Sequence, residues 1–175
     1  MKIIFNKADK AFSRKEFKLL FDNNFEQLRD YIYYKCGNIE QAEDVAQEAF
    51  LKLWEKRAEV KKDTIVSYLF RIAHNIFINQ TRHAKVSFNF QSQNNMQEVD
   101  SSTPEFELEF KEFDALLQEA LANLPEKTRV TFLMNRIDGM KYKEIAERLD
   151  VSIKTIEKRM QTAVKQLKES INYKL

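Results

Sequence analysis

Apolar residues recur every three or four positions along most of this chain, the period of helices with one buried face. In the first such stretch, residues 13–36, the stripe is Phe17, Leu20, Phe21, Phe25, Leu28 and Ile32, and Gly37 ends it. Asn38 then stands as N-cap of a second helix, with Gln41 at the third position as in a capping box and Glu40 where the helix dipole favours an acid. That helix buries Ile39, Ala42, Val45, Ala46, Ala49 and Leu53, sets Phe50 and Trp54 near the boundary, and turns Asp44, Gln47, Glu48 and Leu51 outward. A third helix over 64–83 takes its core from Val66, Leu69, Phe70, Ala73, Ile76 and Phe77. Its polar positions are Ser67, Arg71, His74, Asn75, Gln80, Arg82 and His83, and Lys61, Lys62 and Asp63 precede it as a basic loop.

The C-terminal stretch 141–168, KYKEIAERLDVSIKTIEKRMQTAVKQLK, reads as two helices joined by a very short turn. Ile145, Ala146 and Leu149 form the apolar face of the first. Asp150 and Val151 break the pattern, and Ser152 is placed to cap the second, whose seam is Ile156, Met160, Ala163, Val164 and Leu167. The opposite face carries Lys154, Glu157, Lys158, Gln161, Lys165 and Lys168. Five Lys/Arg against one acid between Ser152 and Lys168 favour phosphate contact, and long polar side chains near a helix start suit base edges in a major groove. A helix-turn-helix that binds DNA is the expectation; a solvated amphipathic helix in a bundle is the plainer alternative.

Between these parts lies an acidic, Gln/Asn/Ser-rich stretch, residues 89–110, with five acids and no base, whereas 61–85 holds five Lys/Arg against Asp63. It reads as a flexible linker. The expected fold is all-α: two small helical domains, 13–88 and 112–171, joined by the acidic linker 89–111, the second domain a helix-turn-helix. Two Gly and two Pro in 175 residues leave little turn chemistry for a sheet. Each domain is near the size at which one core is marginal, so each is expected to gain stability from a partner. A single Cys36 excludes an internal disulfide, and His74 and His83, nine apart, are not at metal-ligand spacing. The start of the chain has a three-residue apolar run, too short for a signal-peptide core, and no later run approaches a membrane span. A soluble, cytoplasmic protein without cofactor is expected. No phosphate-cradling Gly loop and no nucleophile constellation is present, so an enzyme is not.

Three segments carry a resemblance to a known family. They are AEDVAQEAFLKLWEK (42–56), SYLFRIAHNIFINQTR (67–82) and ALANLPEKTRVTFLMNRIDGMKYKEIAERLDVSIKTIEKRMQTAVKQLK (120–168). The Asp-x-x-Gln-Glu-x-Phe pattern at 44–50 and the Leu-Pro-Glu at 124–126 fall in the expected order, about eighty residues apart. In these the chain resembles the RNA polymerase sigma factors of the extracytoplasmic-function group, the minimal bacterial type that keeps only conserved regions two and four.

The resemblance implies a role for each segment. Asp44, Gln47, Glu48, Phe50 and Leu51, with Trp54 at the edge, match the part that docks on the basic clamp helices of core RNA polymerase. Lys61, Lys62, Asp63 and Thr64 with Ser67, Arg71, Asn75 and Arg82 match the element that melts the minus-ten region and captures a single-stranded base. Lys154, Thr155, Glu157, Lys158, Arg159, Gln161, Thr162 and Lys165 match the helix that reads the minus-thirty-five duplex. Glu157 and Lys154 depart from common family residues, so the upstream preference is not transferable, and His74 has no matching role. Implied partners are core RNA polymerase, promoter DNA as duplex and single strand, and an anti-sigma factor of the kind that can hold such proteins at a membrane. The rivals are a stand-alone helix-turn-helix regulator binding palindromes as a dimer and a helical adaptor that binds only protein.

Overall fold

The computed structural model describes residues 12–81 and 104–172, and among them the only regular structure is helical. Seven α-helices follow in order: α1 (Arg14–Cys36), α2 (Ile39–Glu55), α3 (Ile65–Thr81), α4 (Pro104–Asn123), α5 (Glu126–Arg136), α6 (Tyr142–Leu149) and α7 (Ile153–Asn172), with a 3-10 turn at Lys62–Thr64 before α3.

Each boundary has a local cause. Ser13 caps α1 by accepting from the Glu16 amide at 3.3 Å, while Glu16 reaches back to the Ser13 amide at 2.7 Å. At the other end Gly37 takes φ 70°, a left-handed conformation that a Cβ disfavours, and its amide bonds the Tyr33 carbonyl at 2.7 Å. Asn38 caps α2 through the Gln41 amide at 2.8 Å. The helix-turn-helix bend rests on Asp150, left-handed at φ 53°, which lets the Val151 amide reach the Ala146 carbonyl at 3.0 Å. Ser152 accepts from the Thr155 amide at 3.1 Å and so starts α7.

In the N-terminal half α1, α2 and α3 pack on one another around Leu28, Ile32, Val45, Ala46, Ala49, Leu53, Leu69, Phe70 and Ala73. In the C-terminal half α4, α5 and α6 all pack against α7, around Leu133, Met134, Ile145, Ile156, Met160 and Ala163. Full burial of each large aliphatic or aromatic side chain contributes about 1.5–3 kcal/mol, which makes these two seams the main source of stability.

One expectation is corrected. The sequence pattern puts the linker at 89–111, but α4 starts at Pro104. Proline at the first helical position and acids at 105 and 107 favour a helix start, and Phe106, Phe110, Phe113, Leu117 and Ala120 continue at helical spacing when read together with the segment that follows. Residues 82–103, with the remaining linker, Arg82 and His83, lie outside the described residues. The halves pack on each other, α1 against α5 and α3 against α6. Each half thus packs against the other, which serves as one partner from which it gains stability.

Candidate nucleic-acid interface

On α2, Asp44, Gln47 and Leu51 are exposed, Glu48 is half-exposed, and their spacing puts them on one face. Leu51 is 65% exposed. An apolar side chain so open, beside acids, suits a protein partner of opposite charge. Glu48 pairs with Lys52 at 2.6 Å, one turn on. Phe50 lies elsewhere: it is 2% exposed and its ring meets Phe21 at 4.8 Å, Phe17 at 6.0 Å and Phe25 at 6.2 Å. It holds α2 to α1 and is not part of the exposed face. Trp54 is half-buried on Phe17, with the Arg57 guanidinium 4.2 Å above its ring.

The basic loop and α3 form a second surface. Lys61, Lys62, Asp63 and Thr64 are all exposed, and the Thr64 amide closes the turn on the Lys61 carbonyl at 3.2 Å. Lys62 reaches Glu16 at 2.7 Å, and that contact, with the Ser13 bonds, holds the Glu16 carboxyl down at about 2. Ser67, Arg71 and Asn75 follow at intervals of four on one face of α3. The Ser67 hydroxyl donates to the Thr64 carbonyl at 3.1 Å, and the Arg71 guanidinium lies 5.1 Å from the centre of the Tyr68 ring. A cation over an aromatic face beside an exposed amide is a surface on which an unpaired base can stack and phosphates be neutralised.

The third surface is α7. Lys154, Glu157, Lys158, Gln161 and Lys165 are exposed along one side, and a shallow groove lined by Tyr142, Glu157, Gln161 and Lys165 continues it toward α6. Two of the expected hydroxyls are engaged within the helix: Thr155 Oγ1 sits 2.8 Å from Ser152 Oγ, and Thr162 donates to the Lys158 carbonyl at 2.9 Å. Arg159 points the other way. It is half-buried, lies within 3.5 Å of the Thr131 hydroxyl, and burial lowers its pKa.

The residues that join the halves were not foreseen. Arg129 and Lys35 are charged and buried. Lys35 pairs with Glu126 and lies 5.2 Å from the Tyr31 ring centre and 5.7 Å from that of Phe77. Burial lowers its pKa, and lowers that of His74 nearby. Tyr34 donates to Asp138 at 2.5 Å, and burial pushes the Asp138 carboxyl up to about 6. A sequence signal for them existed: Lys35 follows Tyr31 by four and Ile32 by three, and Arg129 precedes Leu133 by four, so both interrupt apolar stripes on the core side.

Comparison with known proteins matches this division. Residues 20–86 match the sigma-70 region 2 family and residues 114–167 match sigma-70 region 4. The ECF RNA polymerase sigma factor SigW of Bacillus subtilis is 28% identical, over 82% of this chain and 84% of the relative. The ferric citrate uptake sigma factor FecI of Escherichia coli is 29% identical, over 85% and 86%. Among solved structures, CnrH in complex with the cytosolic domain of CnrY superposes with a TM-score of 0.62 at 20% identity, covering 95% of each chain. RpoE of Bartonella quintana with the anti-sigma factor NepR gives 0.60 at 21% identity, over 90% of this chain and 98% of that one. With both domain families in order and relatives aligned across most of its length, the chain belongs to the extracytoplasmic-function group of RNA polymerase sigma factors.

Proposed function

We propose that this sigma factor directs promoter-specific initiation through three separate surfaces: α2 on core RNA polymerase, α3 and its basic loop on the melted minus-ten strand, and α7 on the minus-thirty-five duplex. The observation that carries the assignment is the exposure of three chemically distinct faces on three different helices. One is acidic with an open Leu51, one cationic beside an aromatic ring, and one a row of Lys, Glu and Gln on a capped second helix.

The mechanism is differential binding. Opening duplex costs about 1–2 kcal/mol per base-pair step. A surface that binds only the exposed strand shifts that equilibrium by its preference for the open form, and by nothing more. Asn75 and Arg71 are placed to supply the preference, Lys61 and Lys62 to neutralise the backbone, and α7 to fix the register upstream with Lys158 and Gln161 on base edges. Arg82 belongs to the same proposal from sequence alone. An anti-sigma factor is the further partner proposed, since RpoE of Bartonella quintana, a structure of similar fold, is in complex with one. No helix among the described residues is long and apolar enough to cross a membrane, and the cytoplasm is the compartment proposed.

Co-purification with core polymerase followed by run-off transcription tests this. The account expects a stoichiometric complex and transcripts that start downstream of paired minus-thirty-five and minus-ten elements. Tight, symmetric binding of a palindrome by a dimer, with no transcript, would support a stand-alone regulator instead.

A further inference from the structure

Between Ser152 and Lys168 the chain carries five Lys/Arg and a single acid, Glu157. That acid is exposed on α7, with Lys154 three residues before it and Lys158 beside it, both exposed as well. Elsewhere on the two helices of the helix-turn-helix, lysines pair with acids one turn on, Lys143 with Glu147 and Lys165 with Glu169, each at 3.9 Å. Glu157 has no ion pair among the described residues. One turn earlier, at the first position of α7, stands Ile153, an apolar side chain that is 46% exposed. A spacing of four puts Ile153 and Glu157 on neighbouring parts of one helix face, about 6 Å apart along the axis. Gln161 extends the row by another turn, and Glu157 and Gln161 line a groove with Tyr142.

A carboxylate on a surface that meets duplex DNA is repelled by the phosphates, and it accepts hydrogen bonds without donating any. In the major groove the groups that can donate to it are the N4 amino group of cytosine and the N6 amino group of adenine. Guanine N7 and O6 and thymine O4 are acceptors and repel it. Adenine sets its N7 acceptor beside the donor, so cytosine is the better match. Ile153 has no side-chain polar atom, and the apolar group that a major groove offers it is the C5 methyl of thymine. At about 3.4 Å of rise per pair, a separation of about 6 Å places the two contacts within about two base pairs of each other.

We propose that Glu157 and Ile153 set the upstream sequence that this chain selects: Glu157 accepts from the amino group of a cytosine, and Ile153 packs on the methyl of a thymine within about two base pairs of it. The inference rests on the reading of α7 as the helix on the minus-thirty-five duplex, and it names two of the bases that this helix demands. The surrounding lysines supply the attraction to DNA that the acid opposes, so affinity and selectivity come from different side chains. Glu157 selects mainly by exclusion. Opposite guanine or thymine it is desolvated against an acceptor with no bond made, which costs more than the loss of a contact. Ile153 adds a smaller preference, because one methyl withdrawn from water changes affinity about fourfold.

Selection from a duplex library tests both contacts. Holoenzyme assembled with the full-length chain is offered a promoter that it transcribes, with the upstream element randomised, and the bound fraction is sequenced. The wild type should enrich cytosine at one position of one strand. Glu157→Ala should lower that preference about fivefold or more with the other positions unchanged, and Glu157→Gln should move it to adenine, whose N6 and N7 a Gln side chain matches. Replacing each thymine near the cytosine by deoxyuridine removes the methyl alone: one such replacement should weaken wild-type binding about fourfold and leave binding by Ile153→Ala unchanged. Circular dichroism verifies the fold of each variant, and Glu157→Gln and Ile153→Val carry the test if an alanine variant does not fold. An unchanged preference at every position in the folded Glu157 variants would overturn the cytosine contact. Deoxyuridine that has no effect, or the same effect on the Ile153 variant, would overturn the thymine contact. A wild type that does not assemble with core would instead count against the sigma-factor reading, and the same library offered to the full chain alone would still show whether Glu157 governs a cytosine.

Discussion

Arg129→Ala is the substitution with the largest expected structural consequence. The side chain is 4% exposed and makes four hydrogen bonds, to the carbonyls of Tyr34 at 3.1 Å, Lys35 at 3.3 Å, and Ala122 and Leu124 at 3.2 Å each. Tyr34 and Lys35 lie in the last turn of α1, where carbonyls lack helical partners and the dipole is negative, so the guanidinium caps one domain from within the other. Bonds from a charged donor contribute about 1.5–3 kcal/mol each, and the plain sum overshoots. Water reaches the half-buried Ala122 region once the side chain is gone, and the cost of burying a cation is relieved. Breaking a buried charged network of this kind costs about 3–5 kcal/mol, against a total stability of about 5–15 kcal/mol. Urea unfolding followed by circular dichroism and by fluorescence provides the assay, because Trp54 is the single tryptophan and reports only the N-terminal half. In the wild type the two probes should coincide, as two-state unfolding requires; in Arg129→Ala they should separate as the halves unfold independently. A loss below about 1 kcal/mol, or separate transitions already in the wild type, would refute the reasoning.

Neighbouring residues on α2 should separate stability from docking: Phe50→Ala is expected to cost about 3–5 kcal/mol in thermal unfolding, while Leu51→Ala changes stability by no more than about 0.5 kcal/mol and weakens co-purification with core polymerase. Charge reversal at Asp44 and Glu48 together should abolish holoenzyme assembly with helical content retained by circular dichroism; intact assembly by the folded double variant would remove the acidic face from the account. Because the Asp138 carboxyl is held near 6 in the folded chain, above its ordinary value of 3.8, its favourable contribution is complete below that ordinary value and is lost as pH rises through about 6. The urea midpoint of the wild type should therefore fall between pH 4 and 6 relative to Asp138→Asn, and parallel profiles across that window would contradict the burial of this carboxyl.

Helical periodicity and capping residues made most of the fold legible. Ser13, Gly37, Asn38 and Ser152 stand at helix ends where their chemistry puts them, and the apolar stripes of α2, α3 and α7 are buried except at Ile39, Val66 and Val164, which are partly buried. The start of α4 escapes a reading whose window stops at 111, because the acids and polar residues around it resemble a linker and the Phe106–Phe110–Phe113 spacing is visible only across that boundary. Among the described residues of the candidate surfaces Trp54, Ser67, Thr155 and Thr162 are half-buried, and the clear departures from the periodicity are Phe50, which is buried, and Arg159, which turns toward Thr131. Both lie at the edge of a stripe, where a rotation of some tens of degrees decides between core and solvent, and packing against another helix sets that rotation. The contact between the halves was not legible because it joins residues about a hundred positions apart through single polar contacts, for which a one-dimensional pattern has no period.

The central claim, one domain for each promoter element, is tested most directly by transcription with core polymerase on two templates, an intact duplex promoter and the same promoter with a pre-melted bubble at minus ten. Lys158→Ala with Gln161→Ala should weaken use of the duplex promoter by about 1–3 kcal/mol for each base edge no longer read and leave the bubble template nearly unaffected. Lys62→Ala with Asn75→Ala should impair opening and capture of the single strand while upstream duplex protection persists in footprinting. Equal impairment on both templates from both pairs would contradict the assignment of α7 to the upstream duplex and α3 to the melted strand.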